Sequence, residues 1–155
     1  MSRITLGSTI IVALMALVSG SSFAQESLCD SSEQTVWSCT TKAKIYSLCA
    51  AKSGNPGKNY LQYRVGTPAR MELIFPSFRR PPAGVFRYLL YNTTASVQFE
   101  NAGYQYAIDE TINGEASIEV TKGDRIIASV QCDTSTDTLT LTSTIGQFKD
   151  MGIYE

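Results

Sequence analysis

Histidine is missing from all 155 residues. Its absence removes the Ser–His and Cys–His nucleophile pairs and the side chain that most often serves as general base near neutral pH. It also removes the commonest ligand for zinc or copper. Close cysteine pairs are missing too. Cys29, Cys39, Cys49 and Cys132 stand ten, ten and eighty-three positions apart, without the CxxC units of zinc clusters and dithiol redox enzymes. Positive charge is not in excess: 13 Lys and Arg stand against 14 Asp and Glu. Phosphate neutralisation therefore gives no drive toward nucleic acid. No cofactor, no metal and no nucleic-acid partner are expected.

Long hydrophobic runs are also absent after the first two dozen residues. "MSR" supplies a positive start, "IIVALMALV" an apolar run and "SGSSFA" a small-residue end. That is the pattern of a secretory signal peptide over residues 1–24, cut after Ala24. The apolar run is shorter than the ~20 residues that a bilayer span needs. Cys29 stands away from the cut, so a lipid anchor is not expected, and no membrane anchor remains after cleavage. Removing 24 of the 155 residues leaves 131, with 12 basic and 14 acidic side chains and a net charge of −2. That length suits one domain, residues 25–155, in the periplasm or outside the cell.

The mature part has little helical periodicity. It offers nine short runs rich in aromatic and β-branched residues, bounded by Gly, Pro, Asn or Thr: "TVWSCT", "KIYSLCA", "YLQYRV", "RMELIF", "VFRYLLYN", "ASVQFE", "GYQYAIDE", "EASIEV" and "RIIASVQC". This predicts an all-β fold, an antiparallel meander of about eight or nine strands forming a sandwich or barrel. Alternation assigns Leu61, Tyr63, Val65, Met71, Leu73, Phe75, Val97, Phe99, Tyr104, Tyr106, Ile108, Ile118, Val120, Ile126, Ala128 and Val130 to the core face. Gln62, Arg64, Glu72, Gln98, Gln105, Asp109, Glu119 and Arg125 fall on the solvent face. Burial should also set hairpin register. It favours Ile108 opposite Ile118, with a glycine-bulged turn at Gly114. It favours Val120 opposite Ile126, with a three-residue loop Lys122-Gly123-Asp124.

An even number of cysteines in an exported chain predicts two disulfides. "WSCT" and "IYSLCA" read as a hairpin with Cys39 near the turn and Cys49 at the open end. A turn of two or four residues points them to opposite faces, so they do not bond to each other. The incoming N-terminal segment brings Cys29 to Cys49. Cys132, in phase with Val130, is left for Cys39.

Three features bear on chemistry. Asp109 and Glu110, with Glu115 and Glu119 across the next hairpin, could form a hydrolytic carboxylate pair if two met in a cleft; their phase predicts a solvated hairpin face instead. Asn92 begins an "NTT" acceptor pattern, read here as a hairpin turn. "PSFRRPPAG", Pro76 to Gly84, has three prolines, which forbid a regular strand. Its Phe78, Arg79 and Arg80 form a stiffened aromatic and cationic cluster, a candidate interaction loop. The alternative is a plain surface connection with Phe78 folded onto the core. In the tail, Leu139 and Leu141 alternate with Thr and suggest a last strand; residues after Ile145 fit a short helix or an extended tail.

The segments "FAQESLCDSSEQTVWSCTTKAKIYSLCA", "YLQYRVGTPARMELIFP", "VQFENAGYQYAI" and "SVQC" resemble a group of small exported proteobacterial proteins with a shared cysteine framework. The resemblance implies export and that framework, and it assigns no functional residue. In size and β-content the chain is also similar to periplasmic lysozyme inhibitors. "RRPPAGVFRY" lacks the serine-rich loop of one such group, and "NAGYQY", with Ala102-Gly103-Tyr104, lacks the serine of the other. The expected function is an exported, non-enzymatic binding protein with a protein partner. Alternatives are an inhibitor of a secreted hydrolase such as lysozyme, or a small carboxylate-dependent hydrolase.

Overall fold

The computed structural model describes residues 26–52, 59–133 and 140–155; the expected signal peptide lies outside them. The nine sequence runs become nine strands: β1 (Glu33–Thr40), β2 (Ile45–Ala51), β3 (Leu61–Thr67), β4 (Arg70–Phe75), β5 (Phe86–Leu90), β6 (Thr94–Asn101), β7 (Tyr104–Thr111), β8 (Ala116–Lys122) and β9 (Arg125–Gln131). They form two antiparallel meanders, a four-stranded sheet β1-β2-β3-β4 and a five-stranded sheet β5-β6-β7-β8-β9. The prolines between β4 and β5 end one sheet and let the chain cross to the other.

The inner faces pack as a sandwich. Tyr63 of the first sheet sits 5.2 Å from Phe99 of the second, ring centre to ring centre, and Phe75 sits 4.7 Å from Phe99. Phe99 also stacks on Tyr106 at 4.6 Å. Trp37, Leu48, Leu61, Val97, Ile108 and Ile118 fill the space around this aromatic column and are all but inaccessible to water. Such rings each bury a large apolar area, and their tilted and offset contacts add about 0.5–1.5 kcal/mol per pair beyond it.

Register follows burial, with one correction. Ile108 lies opposite Ile118, and Gly114 takes φ +84° in the intervening turn. At the β8–β9 hairpin the turn is only two residues, Gly123-Asp124, with Lys122 opposite Arg125 and Gly123 at φ +56°. Tight hairpins favour such a turn. The phase is then restored inside β9: Thr121 opposes Ile126 while Val120 opposes Ala128, leaving Ile127 as the extra residue. Ala128 and Val130 keep their phase with Val120 and Ile118, but of the three expected core residues in β9 only Val130 is even partly buried: Ala128 is exposed and Ile126 is 63% exposed. Met71, at the start of an edge strand, is exposed as well.

The tail corrects a second expectation. Leu139 lies outside the described residues, and Leu141 sits in α1 (Thr140–Ser143), followed by α2 (Ile145–Asp150). Leu141, Ile145 and Phe148 recur at helical spacing, a signal that outweighs the Thr-Leu alternation. Phe148 packs on Tyr88 at 4.7 Å. α2 stops in a paired turn: the Ile153 N–H donates to the Phe148 carbonyl and the Gly152 N–H to the Lys149 carbonyl, the Schellman arrangement. The last residues then pair with β5, Tyr88 N–H donating to Ile153 O and Glu155 N–H to Tyr88 O.

Cys29 is bonded to Cys49 and Cys39 to Cys132. They span 20 and 93 residues, worth about 3 and about 5 kcal/mol in the chain-entropy model. Two disulfides fit a non-reducing environment. Among the described residues no helix is long and apolar enough to cross a membrane.

Candidate functional site

The Cys29–Cys49 bond draws residues 26–31 across the outer face of the first sheet. Ser38 Oγ donates to Glu26 O, Leu28 N–H donates to Ser47 Oγ, and Lys52 Nζ donates to Ser31 O. The face beneath this strap is therefore dry. Gln62 and Arg64, expected in solvent, are 4% and 5% exposed. Alternation places both on the outer face, where they are; a local period carries no account of a segment lying over that face.

Burying Arg64 demands a counter-charge, because an isolated ion out of water costs several kcal/mol. Glu33 supplies it. Arg64 forks onto Glu33, Nη1 to Oε2 at 2.6 Å and Nη2 to Oε1 at 2.8 Å. Its remaining Nη hydrogens reach Leu28 O at 2.9 Å and Gln62 Oε1 at 2.8 Å. Glu33 also accepts from Tyr60 Oη at 2.6 Å, from the Asp30 N–H at 2.8 Å and from Arg79 Nη2 at 2.8 Å. Burial alone would push the Glu33 carboxyl up. The Arg64 and Tyr60 hydrogen bonds, the Asp30 N–H and the Arg64 charge reverse this and hold it at about 2, against an ordinary 4.5. Burial and donation to Glu33 push the Tyr60 hydroxyl up to about 12.

Arg79 joins this cluster to the Pro76–Gly84 loop. Besides Glu33 it contacts Asp30 Oδ2 at 3.1 Å, and its guanidinium carbon lies 4.8 Å over the Tyr60 ring. Gln62 Nε2 holds the start of the same loop by donating to Pro76 O at 2.8 Å. The three residues singled out in the loop thus separate. Arg79 turns inward as an anchor. Phe78 stays 64% exposed instead of folding onto the core, and Arg80 places its guanidinium carbon 5.6 Å from the Phe78 ring. Sequence reading missed Glu33 entirely. Two signals pointed toward it: an arginine on a strand flanked by strands on both sides, and a disulfide that carries the N-terminal segment over the same face.

Cys29, Glu33 and Cys49 place potential ligand atoms within 4.8 Å of one another. Both sulfurs are spent in the disulfide and the carboxylate already accepts five hydrogen bonds, so the group has no thiolate to offer a metal.

The four hairpin carboxylates disperse. Glu119 lines a shallow depression of about 320 Å³ on the outer face of the second sheet, with Arg87, Gln98 and Gln105; Asp109 does not line it. Asp109 opposes Ser117 and Glu119 opposes Ala107, so they are diagonal neighbours. Glu115 is exposed. Glu110 corrects the expectation of a solvated face: it is 1% exposed, and its Oε1 accepts the Leu141 N–H at the start of α1. Asn92 lies in the β5–β6 turn.

No family model, no curated protein and no solved structure matches the chain.

Proposed function

We propose that the protein is an exported, non-enzymatic binding protein and that the Pro76–Gly84 loop is its recognition element. The leading apolar segment and the two disulfides support export to the periplasm or beyond. The observation that carries the reading is the division of labour in the loop. Arg79 is tied to Glu33, Asp30 and Tyr60, while Phe78 stands out beside Arg80. An anchored loop loses little conformational entropy on binding, and aromatic and arginine side chains are favoured interface anchors. The partner such a tip fits is a protein with an apolar recess edged by carboxylates.

The catalytic cleft of a secreted glycoside hydrolase such as lysozyme has that chemistry, since two carboxylates flank the bond it cuts. Insertion of the loop into such a cleft is the specific form of the proposal. It is tested by assaying the mature protein against several lysozyme types. Inhibition at micromolar protein, lost in Phe78→Ala/Arg80→Ala, is expected; no inhibition of any type removes this form. Binding by the loop itself is tested by capture from periplasmic and host extracts, comparing wild type with the same double variant. Equal capture by both would sink it.

A further inference from the structure

The outer face of the second sheet carries a row of side chains that the fold itself does not use. Across β5, β6, β7 and β8, Arg87 stands opposite Gln98, Gln98 opposite Ala107, and Ala107 opposite Glu119. Directly opposed residues of an antiparallel sheet point to one face, so all four share the solvent side. Ala107 is the smallest of them and forms the low point of the depression of about 320 Å³ that the row encloses. A second depression of about 320 Å³ shares Arg87, Gln98 and Gln105 and continues the first toward Glu155. Small-molecule sites begin at about this size, ~300 Å³.

The row ends in opposite charges. Glu119 is half-buried and forms no ion pair among the described residues. Arg87 donates to Gln98 Oε1 at 3.3 Å; it approaches Glu155 only to 3.8 Å, beyond hydrogen-bond length, and both side chains are half exposed. Its guanidinium therefore keeps an open fork, the shape that takes a carboxylate through two parallel hydrogen bonds. Glu119, as an acceptor, takes an ammonium group. The groups between the two charges match an amide. Gln105 gives its Nε2 to Glu100 at 2.7 Å, which leaves its Oε1 to accept an N–H, and Thr121 adds a hydroxyl to the lining. A sugar finds less to hold: Tyr106, the one ring lining the depression, is already stacked on Phe99 in the core at 4.6 Å.

We propose that this depression binds a short zwitterionic peptide, its terminal carboxylate on Arg87 and its amino group on Glu119. Strand spacing sets the length. Arg87 and Glu119 lie three strands apart, about 14 Å between backbones. Their own long side chains cover part of that span, and two or three extended residues, at about 3.5 Å each, cover the rest. Glu155 is the built-in competitor for the Arg87 fork. The site uses none of Phe78, Arg79 and Arg80, so it does not rest on the reading of the loop.

The test is titration of the mature protein with trialanine, followed by backbone amide chemical shifts, beside N-acetyl-trialanine and trialanine amide. Expected is saturable binding with shifts centred on Gln98, Gln105, Ala107 and Glu119. Capping either end of the peptide should weaken it about tenfold, the worth of one charge-assisted hydrogen bond. Arg87→Ala should weaken trialanine equally and erase the penalty of the amide cap; Glu119→Gln should do the same for the acetyl cap. Neither side chain is in the core, so both variants keep the fold. Glu155→Gln removes the competitor and should tighten binding about twofold. No saturable shift up to about 10 mM peptide overturns the proposal, as do shifts centred elsewhere or a cap penalty that survives in its matching variant. Equal binding of trialanine and its N-acetyl form also overturns it, and would assign the depression to the carboxyl terminus of a larger protein.

Discussion

The outer faces of the two sheets carry the same kind of residue and live in different environments. On the first sheet Gln62 and Arg64 are buried beneath residues 26–31, and every Nη hydrogen-bonding direction of Arg64 in use goes to a named protein acceptor. On the second, Arg87, Gln98, Gln105 and Glu119 line an open depression; Arg87 is exposed and meets Gln98 at 3.3 Å and Glu155 at 3.8 Å. One disulfide separates the two cases. It lays a strap over the first face, and the strap turns a solvated charge into a buried one that must be matched. The match, Glu33, then reaches outward to hold Arg79 and with it the loop.

The largest consequence should come from breaking the match. Glu33→Ala leaves Arg64 buried without a counter-charge and should cost about 3–5 kcal/mol in denaturant unfolding. Glu119→Gln, on the open face, should stay within about 0.5 kcal/mol. Equal losses at the two sites would erase the distinction between the faces.

Removing the strap's fastening comes next. Cys29→Ser/Cys49→Ser should lower stability by about 3 kcal/mol and make the Arg64 guanidinium exchange with solvent at a rate like that of Arg87, as read by side-chain NMR. An Arg64 that stays protected would show that the strap holds without its disulfide.

Acid should act through the same pair. The Glu33 carboxyl sits at about 2 in the folded protein against 4.5 ordinarily. Its stabilisation is therefore complete above pH 4.5 and is lost as pH falls toward 2, amounting to about 3 kcal/mol. Tyr60, raised from 10.0 to about 12, should withdraw its own contribution as pH rises through that interval. Unfolding curves across both ranges check this, and Glu33→Gln should flatten the acid limb.

The smallest effect concerns the anchor. Arg79 is half exposed, so Arg79→Ala should cost only about 1 kcal/mol of stability. It should nonetheless loosen residues 76–84, seen as faster amide exchange there, whereas Arg80→Ala should leave exchange unchanged.

The strands were legible because each is a short aromatic and β-branched run ended by turn residues, and the pairs Cys29–Cys49 and Cys39–Cys132 followed from hairpin geometry. What failed shares a cause. The local period that sets Arg64 and Gln62 on the outer face cannot register a distant segment lying over them. Ile126 was misplaced because a two-residue turn and an extra residue in β9 together mimic the three-residue loop that burial seemed to demand. Leu141 alternates with Thr like a strand residue, yet it is also one member of a helical Leu141-Ile145-Phe148 series. At the loop, composition pointed to Phe78, Arg79 and Arg80 together; only the position of Glu33, brought close by folding, divides them into anchor and tip.

The most direct measurement is the pH titration of the Glu33 side-chain carboxyl by carbon-13 NMR in the folded protein. A midpoint near 2, well below the ordinary 4.5, is predicted. A midpoint near 4.5 would mean that Glu33 is not matched to Arg64 beneath the strap, and the anchoring of the loop would fall with it.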